Sequence, residues 1–151
     1  MNDLKLIIFD MDGTLIDSQR VIIAAMRLAY SAVGVECPDD EPIRRIIGLS
    51  LPEVFATLSP NADAEQQEQL VEQYKNAFIT LRAAGGAEAD SPLFPGARDS
   101  LLSLQRDDWF LSAATGKARR GLDHAVKTHA LEGMFTFTQT ADDAPSKPHP
   151  G

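Results

Sequence analysis

The chain has 151 residues, 44% hydrophobic and 24% charged, enough for one globular domain or two small lobes. Its 14 basic and 22 acidic residues give a formal charge of −8, which argues against a general binder of nucleic acid or anionic membrane. Cys37 is the single cysteine, so an internal disulfide is excluded and a cytoplasmic setting is expected. No secretory leader is expected, and no stretch approaches the ~20 apolar residues of a membrane span.

In chain order, LKLIIF at Leu4–Phe9 reads as a buried strand closed by a turn. Asp17 or Ser18 can cap a helix whose apolar residues Val21, Ile22, Ala25, Met26, Ala29 and Val33 recur at helical spacing, with Gly34 as its stop. CPDDEP breaks the chain. Short helices are expected over IRRIIG and after Leu51-Pro52, and a long one over Asp63–Ala84 with Leu70, Val71, Tyr74, Phe78 and Leu81 on one stripe. AAGGAEADSPLFPG reads as a loop and hinge. Gly96–Gln105 predicts a helix, Trp109–Ala114 a second strand, Lys117–His129 a helix and Met134–Phe137 a third strand. Strands alternating with helices predict a parallel α/β sheet, with a helical block inserted after the first strand.

Three polar clusters follow the three predicted strands, where open α/β sheets bind ligands. In DMDGT, Asp10 suits a nucleophile toward phosphorus, and Asp12 suits an acid that protonates the leaving oxygen and then deprotonates water. Gly13 permits a tight turn that brings backbone N–H groups toward a phosphoryl group. The paired carboxylates Asp10 and Asp12 suit Mg²⁺. A plain Asp-Gly turn is the bland alternative, and a calcium loop fits poorly because Thr14 stands where an Asp or Asn belongs. In TGK, the Thr115 hydroxyl and the Gly116 N–H suit an anion, although an N-capping Thr explains the same letters. Lys117 fits a solvated first-turn lysine as well as a pocket role. In SKPHP, Lys147 can neutralise a carboxylate and a phosphate together.

With those clusters in this order, IIFDMDGTLIDS resembles the first motif of the haloacid dehalogenase-like superfamily, Thr115 its second and Lys147 its third. The resemblance implies a Rossmann-like parallel sheet, formed by residues 1–16 plus 92–151, and a helical cap at 17–91. It implies Asp10 as nucleophile, Asp12 as acid/base, and Mg²⁺ on the Asp10 carboxylate and the Asp12 carbonyl. Asp12 resembles the phosphatase and phosphomutase branches, since dehalogenases lack it. LFPG at Leu93–Gly96 resembles the return crossing from cap to core. Arg44, Arg45 and Gly48 are placed where a cap can touch substrate, with a solvated helix face as the alternative. Asp142 and Asp143 read as turn residues, and His124, His129 and His149 have no metal-ligand spacing.

The family's fourth motif, an acidic loop after another strand, has no counterpart before Gly151. The expectation is an incomplete core whose first strand lies at an open edge and is prone to self-association. The leading function is an Mg²⁺-dependent phosphatase acting on a small phosphorylated metabolite, similar to phosphoglycolate phosphatases. A β-phosphoglucomutase-like transferase and a non-catalytic phosphate- or protein-binding module are the alternatives.

Overall fold

The computed structural model describes residues 4–85, 91–106 and 108–149. The chain divides into two compact units, Met1–Asp17 with Pro92–Gly151, and Ser18–Ser91. The element order is β1 (Lys5–Phe9), α1 (Gln19–Val33), α2 (Asp40–Arg45), α3 (Leu51–Leu58), α4 (Ala64–Ala84), α5 (Ala97–Leu104), β2 (Trp109–Ala114), α6 (Arg119–Thr128) and β3 (Phe137–Gln139).

In the α/β unit the three strands are parallel in the order β1-β2-β3, as the alternation of strands and helices predicts. The register pairs Phe9 with Ala113, and Ala113 with Thr138. The carboxyl ends of all three strands therefore fall along one rim of the sheet. Leu101, Leu111, Ala113, Leu122 and Leu131 are buried together with Met11, Leu15 and Ile16, which seats the turn after β1 in the core.

Two expectations change here. The third strand begins at Phe137 instead of Met134. Met134 donates its N–H to the Leu131 carbonyl in a turn, and the ladder begins only where Phe137 stands opposite Ser112. β1, expected to be buried, is half-buried at Ile7 and Phe9 and open on its other face: Leu4, Leu6 and Ile8 are 70%, 57% and 59% exposed. Their period of two is that of a strand packed on one side.

The second unit is entirely helical. Gly34 closes α1 with φ 75°, a left-handed conformation that glycine adopts without strain. α4 starts with a capping box in which the Asp63 carboxylate accepts from the Gln66 N–H and the Gln66 side chain accepts from the Asp63 N–H. α1, α3 and α4 bury Met26, Tyr30, Phe55, Leu70 and Tyr74 in one cluster. The Phe55 ring stands 5.9 Å from Tyr30 and 6.3 Å from Tyr74 between centroids. The Tyr30 hydroxyl, buried with its ring, is satisfied by Ser59 at 2.6 Å. Part of the expected hinge, residues 86–90, lies outside the described residues. Either side of it, the Asp17 N–H donates to the Pro92 carbonyl at 2.8 Å and Ile16 bridges Leu93, so the two chain crossings run side by side.

Candidate active site

The DMDGT turn is built by its own backbone. The Met11 side chain is fully buried, and its carbonyl accepts from the N–H groups of Leu15 and Ile16 at 3.0 and 2.9 Å. Gly13 has φ 79° and donates its N–H to the Ile16 carbonyl at 2.9 Å. Its N–H is taken up inside the loop, and its left-handed conformation forms the tight turn expected of it. The turn directs Asp10 and Asp12 away from the buried Met11 between them.

Each carboxylate meets its own lysine. Lys147 Nζ lies 3.0 Å from Asp10 Oδ1 and also donates to the Ala114 carbonyl, 3.3 Å away at the end of β2. The Met11 N–H donates to the same Asp10 oxygen at 2.8 Å. Lys117 Nζ lies 2.9 Å from Asp12 Oδ2, with side-chain exposures of 17% and 9%. Asp10 is more open, at 30%. The Lys117 and Asp12 charges, close and poorly hydrated, hold each other more firmly than a surface pair does. The structure thus brings Asp10, Asp12, Lys117 and Lys147 together from three segments of the sequence.

Thr115 and Gly116 belong to the same rim. Thr115 is 6% exposed, and its hydroxyl oxygen accepts from the Lys117 N–H at 3.1 Å. The residue is not the N-cap of α6, which starts only at Arg119 and whose first N–H donates to the Asp142 carboxylate at 2.7 Å. The Thr115–Ala118 loop therefore stays non-helical, and Lys117 is carried on it instead of on a first helical turn. The Gly116 N–H donates to no protein acceptor among the described residues.

Behind this loop stands a clamp that the sequence did not reveal. Asp143 accepts from the Thr140 N–H at 2.8 Å and hydroxyl at 2.7 Å, and from the Arg119 guanidinium. Arg119 also reaches the Thr138 hydroxyl at 2.6 Å. Nothing local distinguishes Asp143 from an ordinary turn aspartate, because its partner lies 24 residues away. The Thr140 hydrogen bonds, with help from Arg119, hold the Asp143 carboxyl below its usual range. A lowered folded-state value stabilises the fold above the ordinary carboxylate range and stops doing so as pH falls through the lowered value. Asp143→Asn should therefore lower the melting temperature at neutral pH and flatten its decline toward acid. Thermal melts of both forms across the acid range check this; parallel curves refute it.

Residues offered by the helical unit lie on its surface. The Arg45 side chain is 77% exposed and pairs with Glu41 at 3.2 Å. Gly48 forms a turn with φ 99°. Arg44 instead lines an open groove of about 550 Å³ with Arg20, Arg27, Ile23 and Leu28. Among the described residues no group of three or more His, Cys, Asp or Glu stands close enough to hold a metal ion. No helix among them is long and apolar enough to cross a membrane.

Residues 7–151 match the family model for haloacid dehalogenase-like hydrolases. The chain is 31% identical over 147 residues to the probable phosphatase IndB of Dickeya dadantii, covering 96% of this chain and 63% of that protein. It is 27% identical over 150 residues to the phosphoglycolate phosphatase of Vibrio cholerae, covering 97% and 66%. A crystal structure of a haloacid dehalogenase-like hydrolase from Bacteroides fragilis superposes with a TM-score of 0.80 at 26% identity, covering 94% of this chain and 65% of that one. The chain therefore spans a little under two thirds of the length of these relatives. With its parallel sheet, its DMDGT turn and a match over nearly its whole length, the chain belongs to the haloacid dehalogenase-like hydrolase family.

Proposed function

We propose that this chain carries the phosphoryl-transfer residues of a phosphatase acting on a small phosphorylated metabolite of the phosphoglycolate type. The observation that carries the reading is the pairing of two carboxylates with two lysines, Asp10 with Lys147 and Asp12 with Lys117, beside Thr115 and Gly116. A carboxylate nucleophile facing an anionic phosphate needs nearby positive charge, and Lys147 supplies it. Thr115 and Gly116 offer a hydroxyl and an amide to the phosphoryl oxygens.

An Asp10 oxygen attacks phosphorus, and the bond to the ester oxygen breaks. Asp12 gives that oxygen its proton, and the alcohol leaves. Asp12, now a carboxylate, takes a proton from a water that attacks the aspartyl-phosphate. Inorganic phosphate departs, and Asp10 is regenerated.

The Asp10 carboxylate and the Asp12 backbone carbonyl offer hard oxygens of the kind that would hold Mg²⁺, with water and phosphate completing its shell. When bound, Mg²⁺ supplies charge that offsets repulsion between carboxylate and phosphate. The role of the helical unit as a cap and of Arg45 and Gly48 as substrate contacts belongs to the same reading. A cytoplasmic setting is in keeping with the lone Cys37.

The test is chemical trapping. Acid quench during turnover of ³²P-labelled substrate with Mg²⁺ should leave label on the peptide containing Asp10, released by hydroxylamine as an acyl phosphate is. Label on another residue, or turnover without labelled protein, overturns the mechanism. Transfer of label to a sugar hydroxyl in place of water would replace the phosphatase with a mutase.

A further inference from the structure

We infer that Asp143 is a positioning residue for the anion-binding rim: through Arg119 and Thr140 it fixes the loop carrying Thr115 and Gly116 relative to the segment carrying Lys147. The inference rests on the phosphatase reading and goes beyond it, because Asp143 is bonded to Thr140 and Arg119, neither of which that reading gives a part in the reaction.

The loop at 115–118 is anchored from outside itself. The Thr115 N–H donates to the Gln139 carbonyl at the end of β3, and the Lys117 carbonyl accepts from the Ala141 N–H, each at 3.0 Å. Directly after the loop, the Arg119 N–H donates to the Asp142 carboxylate at 2.7 Å, and its guanidinium reaches Thr138 Oγ1 at 2.6 Å and the Asp143 carboxylate. Each of these anchors lies on the end of β3 or the turn that follows it. The same turn leads into the segment carrying Lys147, whose Nζ lies 3.0 Å from Asp10 Oδ1. The position of the loop and the course of the Lys147 segment are therefore set by one turn.

Asp143 folds that turn. One of its oxygens, Oδ2, accepts from the Thr140 N–H at 2.8 Å, from the Thr140 hydroxyl at 2.7 Å and from the Arg119 guanidinium. The Asp143 N–H returns to the Thr140 carbonyl at 3.1 Å. Thr140 is only 3% exposed, so water does not readily replace the carboxylate there. Without Asp143 the turn loses the acceptor on which it closes, and Arg119 loses its charged partner. The loop and the Lys147 segment are then free to shift against each other. A phosphoryl group held at once by Thr115, Gly116 and Lys147 needs all three within about 0.5 Å of their binding positions.

The probe is inorganic phosphate, titrated by calorimetry with Mg²⁺ present into the full chain, Asp143→Ala, Arg119→Lys and the double variant, with circular dichroism confirming each fold. Charge and position predict different results. By charge alone, removing a carboxylate near an anion site tightens phosphate binding, and exchanging Arg for Lys leaves it unchanged. Loss of positioning weakens binding in both variants by about tenfold to a hundredfold, the size typical when a partner that orients a binding group is removed. The double variant should bind no more weakly than Asp143→Ala, because both changes break one clamp. Asp63→Ala, which removes the cap of α4 in the other unit, should lower the melting temperature and leave phosphate affinity unchanged. Unchanged or tighter binding in Asp143→Ala overturns the inference and leaves the phosphatase reading standing. So does unchanged binding in Arg119→Lys, a double variant whose losses multiply, or an equal loss in Asp63→Ala. If the unmodified chain binds no phosphate, the phosphatase reading fails and the inference fails with it.

Discussion

Replacing Asp10 with Asn should abolish both phosphate release and covalent labelling, with turnover falling by about 10³-fold or more, as expected when a nucleophile is removed from a group that acts as a unit. The loss should be almost purely catalytic. The Asp10–Lys147 pair has side-chain exposures of 30% and 39%, and a pair that open contributes about 1 kcal/mol or less to stability. The melting temperature should therefore move by only a few degrees. Steady-state assays on a panel of phosphorylated metabolites, run beside thermal melts, separate the two effects. Full activity in Asp10→Asn would remove the nucleophile from the mechanism. A collapse of stability would mean that Asp10 is a structural residue instead.

Phe55→Ala should have the largest effect on stability. The Phe55 ring is fully buried and bridges Tyr30 and Tyr74, so α1, α3 and α4 all lose a shared contact. Truncating a buried phenylalanine costs about 3–5 kcal/mol, from lost transfer free energy and from the cavity left behind. That is a large share of the ~5–15 kcal/mol that holds a typical domain folded. Urea unfolding followed by circular dichroism should show the midpoint falling sharply, with loss of helix. The unit formed by Ser18–Ser91 should open first, since its core is separate from that around Leu111 and Leu122. Phe55→Leu should recover much of the loss by filling most of the same volume. A midpoint unchanged in Phe55→Ala would show that this core is not the one described.

Signals carried within a few residues were legible in the sequence. The strand before DMDGT, the glycine stop of α1, the long helix α4 and the strand Trp109–Ala114 all rest on local propensity, periodicity or capping, and each stands where it was expected. Each polar cluster lies beyond a strand because a parallel sheet places its strand ends on one rim, and the alternation of elements is enough to predict such a sheet. The start of β3 was misjudged because Met134 and Phe135 are as apolar as a strand but are spent on a turn and on the core.

The sequence by itself determined the parallel α/β order, the helical block after the first strand and the placing of Asp10, Asp12 and Thr115 just beyond strand ends. Only the tertiary structure decided that Lys117 meets Asp12, that Asp143 holds Arg119, and that Leu4, Leu6 and Ile8 face outward. The physical reason is range. Backbone conformation is set largely by neighbouring residues. The partner of a long, flexible lysine, or the covered face of a strand, depends on register between segments roughly a hundred residues apart, as where Ile8 stands opposite Ser112.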